Sequence, residues 1–395
     1  MTAAVNEWAN VIKARAAVTT ASADSIPWPY MPKRKADNTW PYISAQRSAS
    51  HTTTNLCDQA GQNIGKWVEG QDEIGQECCG WDTFDARDAA AEMTHFKKHQ
   101  NICGSETMWT KGCGKATSCF RGSRMALAQI GGHACFCQSN KQHHLRWVPQ
   151  DCQLLDWNAT TFCHHLGNRT ILFLGDSTME QTASVVMNAI SSQLGLKVGC
   201  QTNIMFARSN QLGMENVERN PHWSAERNAQ WSFLVDAFMA DVVVVNSGAH
   251  VQAFQVWHDR MIKKVLTELD GVKEKYRRAG RHFEFVWMTQ PPPGCSTEPK
   301  PILDWTKYSW MGTERYNYDQ TDDRDAEAKK AFSGVGEILD LTPLKGRPDG
   351  HVGSLQSAGS KFGGDCLHWC VPGPITIIPR LILQMMATGR MLVES

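Results

Sequence analysis

Close to its C-terminal end the chain carries DCLHWCVPG, Asp365 to Gly373, in which an acid stands three residues ahead of a histidine and Cys366 and Cys370 frame the pair. His368 in that position can accept a proton from a nucleophile, while Asp365, one turn earlier, can hold the imidazole in the useful tautomer. Disulfides from the two cysteines would keep such a pair in register. The same residue types also fit a metal knot or a packed core corner. Zinc would need reduced thiolates, and Cys366 and Cys370 share no ordinary paired zinc spacing with other Cys or His residues. The Cys- and His-rich segment Cys103–His144 is the better zinc candidate, with disulfides the competing reading there.

A base needs a nucleophile, and TILFLGDS (Thr170–Ser177) offers one: Ser177 directly after an apolar strand, at the start of a helical pattern. A serine hydroxyl becomes nucleophilic when a base takes its proton, and a helix N-terminus favours negative charge developing beside it. Gly175 would permit the sharp turn that exposes the hydroxyl. A serine at this place can also do no more than cap the helix. VVNSGAH ends a second strand on the same side: Asn246 could give its side-chain amide to an oxyanion, or merely end the strand through a local turn. Gly248 would let backbone approach the substrate, and with Ser177 and Asn246 completes an expected oxyanion hole. His250 faces the cleft or lies at the surface. Asp176, Gln181, His250 and Trp369 are the candidate substrate contacts.

These residues need a frame that carries them to one edge. TMEQTASVVMNAISSQL follows Ser177 with helical apolar spacing, and Phe254–Arg278 puts Ile262, Val265, Leu266, Leu269 and Val272 on one helical face. DVVVVNSG (Asp241–Gly248), FEFVWMTQ (Phe283–Gln290) and GEILDL (Gly336–Leu341) read as further buried strands. Apolar strands separated by amphipathic helices predict a parallel sheet covered on both faces, and in such sheets ligands bind beyond the carboxyl ends of the strands. The expected organisation is an irregular arm over 1–50, a Cys-rich minor lobe over 51–165 and the α/β domain over 166–395.

Composition narrows the class. The chain has 395 residues, 42% of them hydrophobic, enough for a large core, and 40 basic residues balance 40 acidic ones. That balance speaks against a general nucleic-acid binder. Fifteen tryptophans serve core packing or line a sugar cleft. Of fourteen cysteines, ten lie between Cys57 and Cys163, which points to an oxidising compartment and a disulfide-stapled N-terminal region. Sequons at Asn158 and Asn168 suit a secretory-pathway protein. No signal peptide or run of spanning length is visible, so the chain reads as a lumenal or extracellular portion whose targeting segment is missing.

The order GDS, an Asn-containing NSG strand end, then Asp-x-x-His resembles the PC-esterase branch of the SGNH/GDSL superfamily, to which plant trichome-birefringence-like polysaccharide O-acetyltransferases belong. IGKWVEG, LRWVPQDCQLLDWNATTFC and LDLTPLKGRPDGHVG resemble further family blocks, and DCLHWCVPG matches the family signature almost residue for residue. The resemblance spans roughly Cys57 to the C-terminus. It implies an SGNH-like three-layer α/β/α domain with Ser177 as nucleophile, His368 as base and Asp365 as the orienting acid. His351, in RPDGHVG, is the rival base, and the family pattern assigns the role to His368. It further implies that cysteines tether the catalytic histidine, through a Cys295–Cys366 bond and a link from Cys370 to the N-terminal lobe.

Two positions depart from the family pattern: Glu180 stands where Arg is frequent, and AHV follows the Asn strand where aromatic residues are frequent. Acceptor identity is therefore not carried over, and xylan is one possibility among polysaccharides. The expected activity is transfer of an acetyl group through a serine ester to a polysaccharide or glycan hydroxyl, in the Golgi lumen or outside the cell. An acetyl donor would be the co-substrate, with no bound cofactor or metal, no nucleic-acid partner, and a membrane only through a missing anchor. The rivals are a carbohydrate acetyl esterase, in which water takes the acetyl group, and a non-catalytic carbohydrate-binding or cell-wall protein that kept the fold.

Overall fold

The computed structural model describes residues 55–70, 119–121, 145–194, 200, 203–213, 230–251, 253–295, 318–351, 366–369 and 373–391. The expected arm over 1–50, Asp365, Cys370 and the Cys103–His144 zinc candidate, apart from the backbone of residues 119–121, lie outside them.

Strands β1 (Gly65–Glu69), β2 (Cys119–Arg121), β3 (Leu145–Pro149), β4 (Ile171–Gly175), β5 (Ile204–Arg208), β6 (Val242–Asn246), β7 (Glu284–Met288) and β8 (Glu337–Leu339) form two sheets among the described residues. The larger has the order β2-β5-β4-β6-β7-β8; β5, β4, β6, β7 and β8 run parallel, and β2 joins antiparallel at the β5 edge. Four valines in β6 and ILFL in β4 are buried throughout, as strands covered on both faces require. The chain runs from β4 to β5 on one side, then crosses to β6 on the other. That places the topological switch point at β4, where ligands collect in open α/β sheets. β5 (IMFAR) is equally buried, a strand not expected from the sequence although Asn203 and Ser209-Asn210 frame its short apolar run.

Helices α1 (Ala159–Leu166), α2 (Ser177–Leu194) and α6 (Ile377–Ala387) pack on one another, α2 lying along β4 and β5. In a second group, α3 (Trp231–Phe238) and α5 (Thr321–Phe332) meet the aromatic residues of β7, and α4 (Lys263–Arg278) joins α3 through the Tyr276 hydroxyl, which donates to the Val235 carbonyl. Phe285 meets Trp231 and Phe332, while Trp287 stacks on Phe332 at 4.7 Å. The Phe254–Arg278 region is more broken than its apolar spacing suggests: Phe254–Val256 is one short turn, and a π-helical stretch, Trp257–Ile262, precedes α4. The wider turn lets Trp257 donate its indole N–H to the Ser247 carbonyl.

β1 and β3 pair antiparallel, with Trp67 edge-on to Trp147. Gly65 is required by close approach: a Cβ there would lie 2.4 Å from the Val148 carbonyl oxygen. Disulfides Cys57–Cys152 and Cys163–Cys200 tie the segments around this hairpin and α1. Trp67 donates to the Pro343 carbonyl, and the Arg347 guanidinium lies 4.8 Å over its ring. Gln384 of α6 donates to Cys57 O and accepts from Leu155 N, fastening the hairpin region to the last helix.

Candidate active site

Ser177 sits where β4 gives way to α2. In register, Gly175 is flanked by Arg208 of β5 and Asn246 of β6. Gly175 has no left-handed φ, so the glycine is not there to permit a sharp turn. Its reason is steric: a Cβ would stand 2.1 Å from the Asn246 carbonyl oxygen, and Ser209 N–H donates to Gly175 O from the other side. The cap of α2 is Asp176, whose Oδ1 accepts from the Thr178 N–H at 2.9 Å and the Thr178 hydroxyl at 2.7 Å. Ser177 is thereby spared the capping task. From Gly175 to Met179 every residue but Ser177 is buried. Asp176 is wholly enclosed, a positioning group rather than a substrate contact.

The histidine segment is held from three sides. From α2, Gln181 donates its side-chain N–H to Trp369 O at 2.6 Å and accepts from Trp369 N–H at 3.0 Å, imitating a backbone pair. Gln181 lies one helical turn after Ser177, on the same face. From the end of β7, Cys295 forms a disulfide with Cys366, and Gly294 N–H donates to Cys366 O. From the third side, His351 packs against the Trp369 ring with centroids 4.1 Å apart. Cys366 is therefore no zinc thiolate. Gln181 and Trp369 are buried against each other, which removes them from the expected substrate contacts. His351 is fully enclosed with Nε2 2.9 Å from the Pro292 carbonyl oxygen, a core residue unsuited to the rival role of base. Between Cys366 and Trp369 only His368 reaches the surface.

The loop after β6 forms the third wall. Asn246 is buried at the strand end and donates one amide hydrogen to Met288 O at 2.8 Å; the amide nitrogen carries a second. Hydrogen-bond complementarity turns the Gln290 amide oxygen toward the loop, where it accepts from Ala249 N–H at 3.0 Å and Gly248 N–H at 3.2 Å. The Gly248 N–H is thus engaged within the protein, contrary to its expected place in the oxyanion hole. A Cβ on Gly248 would come within 1.9 Å of that same end of the Gln290 amide. His250 is half-buried in the turn that follows.

Two consecutive residues of α5 complete the wall. Arg324 donates to Gly248 O at 2.6 Å and Val251 O at 2.7 Å, and burial pushes its pKa down to about 10. Asp325 accepts the Gln290 backbone N–H at 2.9 Å, and burial pushes its carboxyl up to about 7. Gln290, Arg324 and Asp325 were missed in the sequence. One signal was available: Asp325 takes a slot in the buried stripe Thr321, Asp325, Ala328, Phe332, where an apolar residue is the rule. Glu180, the departure noted above, pairs with Arg208 at 2.7 Å, both largely buried, so β5 brings a guanidinium to this helix position.

A cleft of about 250 Å³, its open mouth included, lies among these walls and is lined by Thr178, Ala249, Gln290, Pro291, Pro293, Thr321 and Leu367. Thr178 follows Ser177, and Leu367 precedes His368. Both proposed catalytic segments therefore border one space.

Comparison with known proteins adds to this geometry. Residues 249–385 match the family model of the PC-Esterase, the GDSL/SGNH-like acyl-esterase family found in Pmr5 and Cas1p. The trichome birefringence-like 18 protein of Arabidopsis thaliana is 23% identical, with 64% of this chain and 61% of that protein covered. Xyloglucan O-acetyltransferase 1 of Populus trichocarpa is 22% identical, with 61% of this chain and 70% of that protein covered. Xyloglucan O-acetyltransferase 1 of Arabidopsis thaliana is 36% identical over a short stretch, 13% of this chain and 14% of that protein. The chain thus spans less than two thirds of the trichome birefringence-like 18 protein. The family resemblance carried by the motifs holds.

Proposed function

Proceeding from a PC-esterase family domain over residues 249–385, we propose that the protein is an O-acetyltransferase that moves an acetyl group through a Ser177 ester onto a polysaccharide hydroxyl. The observation that carries this reading is the pairing of two surfacing residues, Ser177 and His368, within otherwise buried stretches that Gln181 binds together. Ser177 Oγ attacks the acetyl carbonyl of the donor as His368 takes its proton. The negative charge on the carbonyl oxygen is met by the second Asn246 amide hydrogen and by the Ser177 N–H, a first-turn donor that the helix leaves without an internal acceptor. Collapse expels the donor's leaving group, which takes the proton back from His368. A sugar hydroxyl then gives its proton to His368 and attacks the ester, and His368 passes that proton to the departing Ser177 Oγ, releasing acetylated polysaccharide and free Ser177.

Asp365 enters this scheme through its Asp-x-x-His spacing and the family resemblance, as the group that orients His368. The acetyl donor is a co-substrate and no cofactor takes part. The minor lobe over 51–165 and the domain over 166–395 belong to the same reading, with the addition that β2, from within the lobe segment, extends the catalytic sheet. Three disulfides among the described residues support a place in the secretory pathway, in the Golgi lumen or outside the cell. Asn158 is the better glycan acceptor of the two sequons: it is exposed, and its amide oxygen already caps α1 while leaving the nitrogen for a sugar.

Intact-mass analysis after brief exposure to an activated acetyl ester tests the reading. One acetyl group on the wild-type protein and none on Ser177→Ala is expected, with acceptor oligosaccharide removing it faster than water. Removal by water alone would make the protein an esterase, and a folded protein that never gains the adduct would point to a binding protein.

A further inference from the structure

The cleft beside Ser177 is built from neighbours of the proposed catalytic groups. Thr178 and Leu367 adjoin Ser177 and His368 in sequence, Ala249 belongs to the loop after β6, and the three come from separate elements. The space thus borders the residues next to Ser177 and His368.

Among the described residues its lining carries no charged side chain. Ala249, Pro291, Pro293 and Leu367 present hydrocarbon, while two of the three polar side chains are already occupied: the Thr178 hydroxyl donates to Asp176, and the Gln290 oxygen accepts from the loop. A sugar ring, with a hydroxyl on most carbons, would find few partners there beyond the Thr178 and Thr321 oxygens. A short alkyl group needs none.

The walls are also stiff. Proline fixes φ at 291 and 293, the Cys295–Cys366 bond anchors the residue before Leu367, and Asp325 holds the Gln290 backbone. The enclosed part of the space is small, because much of its roughly 250 Å³ belongs to the open mouth.

We propose that this cleft is the acyl site, which receives the methyl group of the Ser177 acetyl ester and rejects longer acyl chains, with Leu367 and Ala249 setting the length. It follows that the acceptor sugar approaches from the other side of the ester. The proposal rests on Ser177 as the nucleophile.

A series of 4-nitrophenyl esters (acetate, propionate, butyrate, hexanoate) tests it by kcat/KM and by the mass of the acyl adduct. In the wild type, kcat/KM should fall about 10-fold or more for each methylene beyond acetate, the low end of discrimination by one methylene in an apolar pocket. Leu367→Ala should compress the acetate-to-butyrate ratio by about 10-fold or more, and Ala249→Val should widen the acetate-to-propionate ratio. Circular dichroism selects folded variants, and the two substitutions act in opposite directions, so loss of one leaves the other to decide. A wild type that takes hexanoate as readily as acetate, or ratios unmoved in a folded variant, overturns the acyl-site proposal while leaving Ser177 in place. Absence of any adduct on Ser177 brings down the nucleophile and the acyl site together.

Discussion

The candidate site depends on single atoms whose neighbours are spoken for. Asp176 takes over the cap and leaves the Ser177 hydroxyl uncommitted to the helix, and the reciprocal Gln181–Trp369 bonds hold the histidine segment against the same helical turn. Ser177→Ala and His368→Ala should each lower turnover on the order of a thousand-fold or more, measured by acetyl transfer to oligosaccharide at equal folded protein. Asp365→Asn should lower it less, and an unchanged rate would end its assigned role. Gln181→Leu strands a buried N–H and a buried carbonyl on Trp369. We expect its kcat to fall about 10- to 100-fold, because a misplacement of about 1 Å can cost that much, with KM little moved. A fall in stability with kcat intact would mean that Gln181 only packs the core.

At the scale of elements, α5 grips the loop after β6 from two sides, by Arg324 on its carbonyls and by Asp325 through Gln290. Lys345, Asp340 and Lys329 are the other charges acting on Asp325, whose carboxyl burial holds at about 7. Its unfolded value is about 3.9. Between those values the folded state binds more protons than the unfolded one, so the Asp325 contribution to stability falls as pH rises from about 4 through about 7 and levels off above. Asp325→Asn keeps the acceptor for Gln290 and removes the titration. Urea midpoints should show the variant near wild type at pH 4 and more stable at pH 8, by at most about 4 kcal/mol from a shift of roughly three units. Equal pH slopes for the two proteins would refute the assignment. The strands and α2 were legible because their apolar periodicity is local. The work of α5 was not, since Asp325 mimics an apolar position and Arg324 acts on carbonyls more than 70 residues away in sequence.

Across the molecule, residues far apart in the chain form one buried series. Trp67 lies under Arg347, Arg347 makes a two-pronged bond to Asp349 with both side chains fully enclosed, and His351 packs on Trp369 beside His368. The hairpin of β1 and β3 thereby supports the loop that backs the histidine segment. Asp349→Ala leaves a buried guanidinium without its counter-charge and should cost about 3–5 kcal/mol in chemical unfolding. A loss under about 1 kcal/mol, the scale of an exposed pair, would show that the pair does not hold this junction. The Cys295–Cys366 bond closes a loop with a sequence separation of 71. Cys295→Ser with Cys366→Ser should lose roughly 4 kcal/mol by the loop-entropy relation, and turnover more steeply than stability because the base segment loses an anchor.

By itself the sequence determined the types, spacing and order of the candidate residues: a serine after a buried strand, an asparagine at the end of a later one, an acid and a histidine in DCLHWCVPG. Each is written in local spacing, and the strands and the helix that bear them are local patterns too. Only the tertiary structure decided what each residue's neighbours do. Gly175 serves the approach of β6 rather than a turn, Gly248 gives its N–H to Gln290, His351 belongs to the core, and Gln181 faces a backbone 188 positions away. The physical reason is that a hydrogen-bond partner or a steric gap is set by elements meeting in space, and residue spacing along the chain holds no record of that meeting.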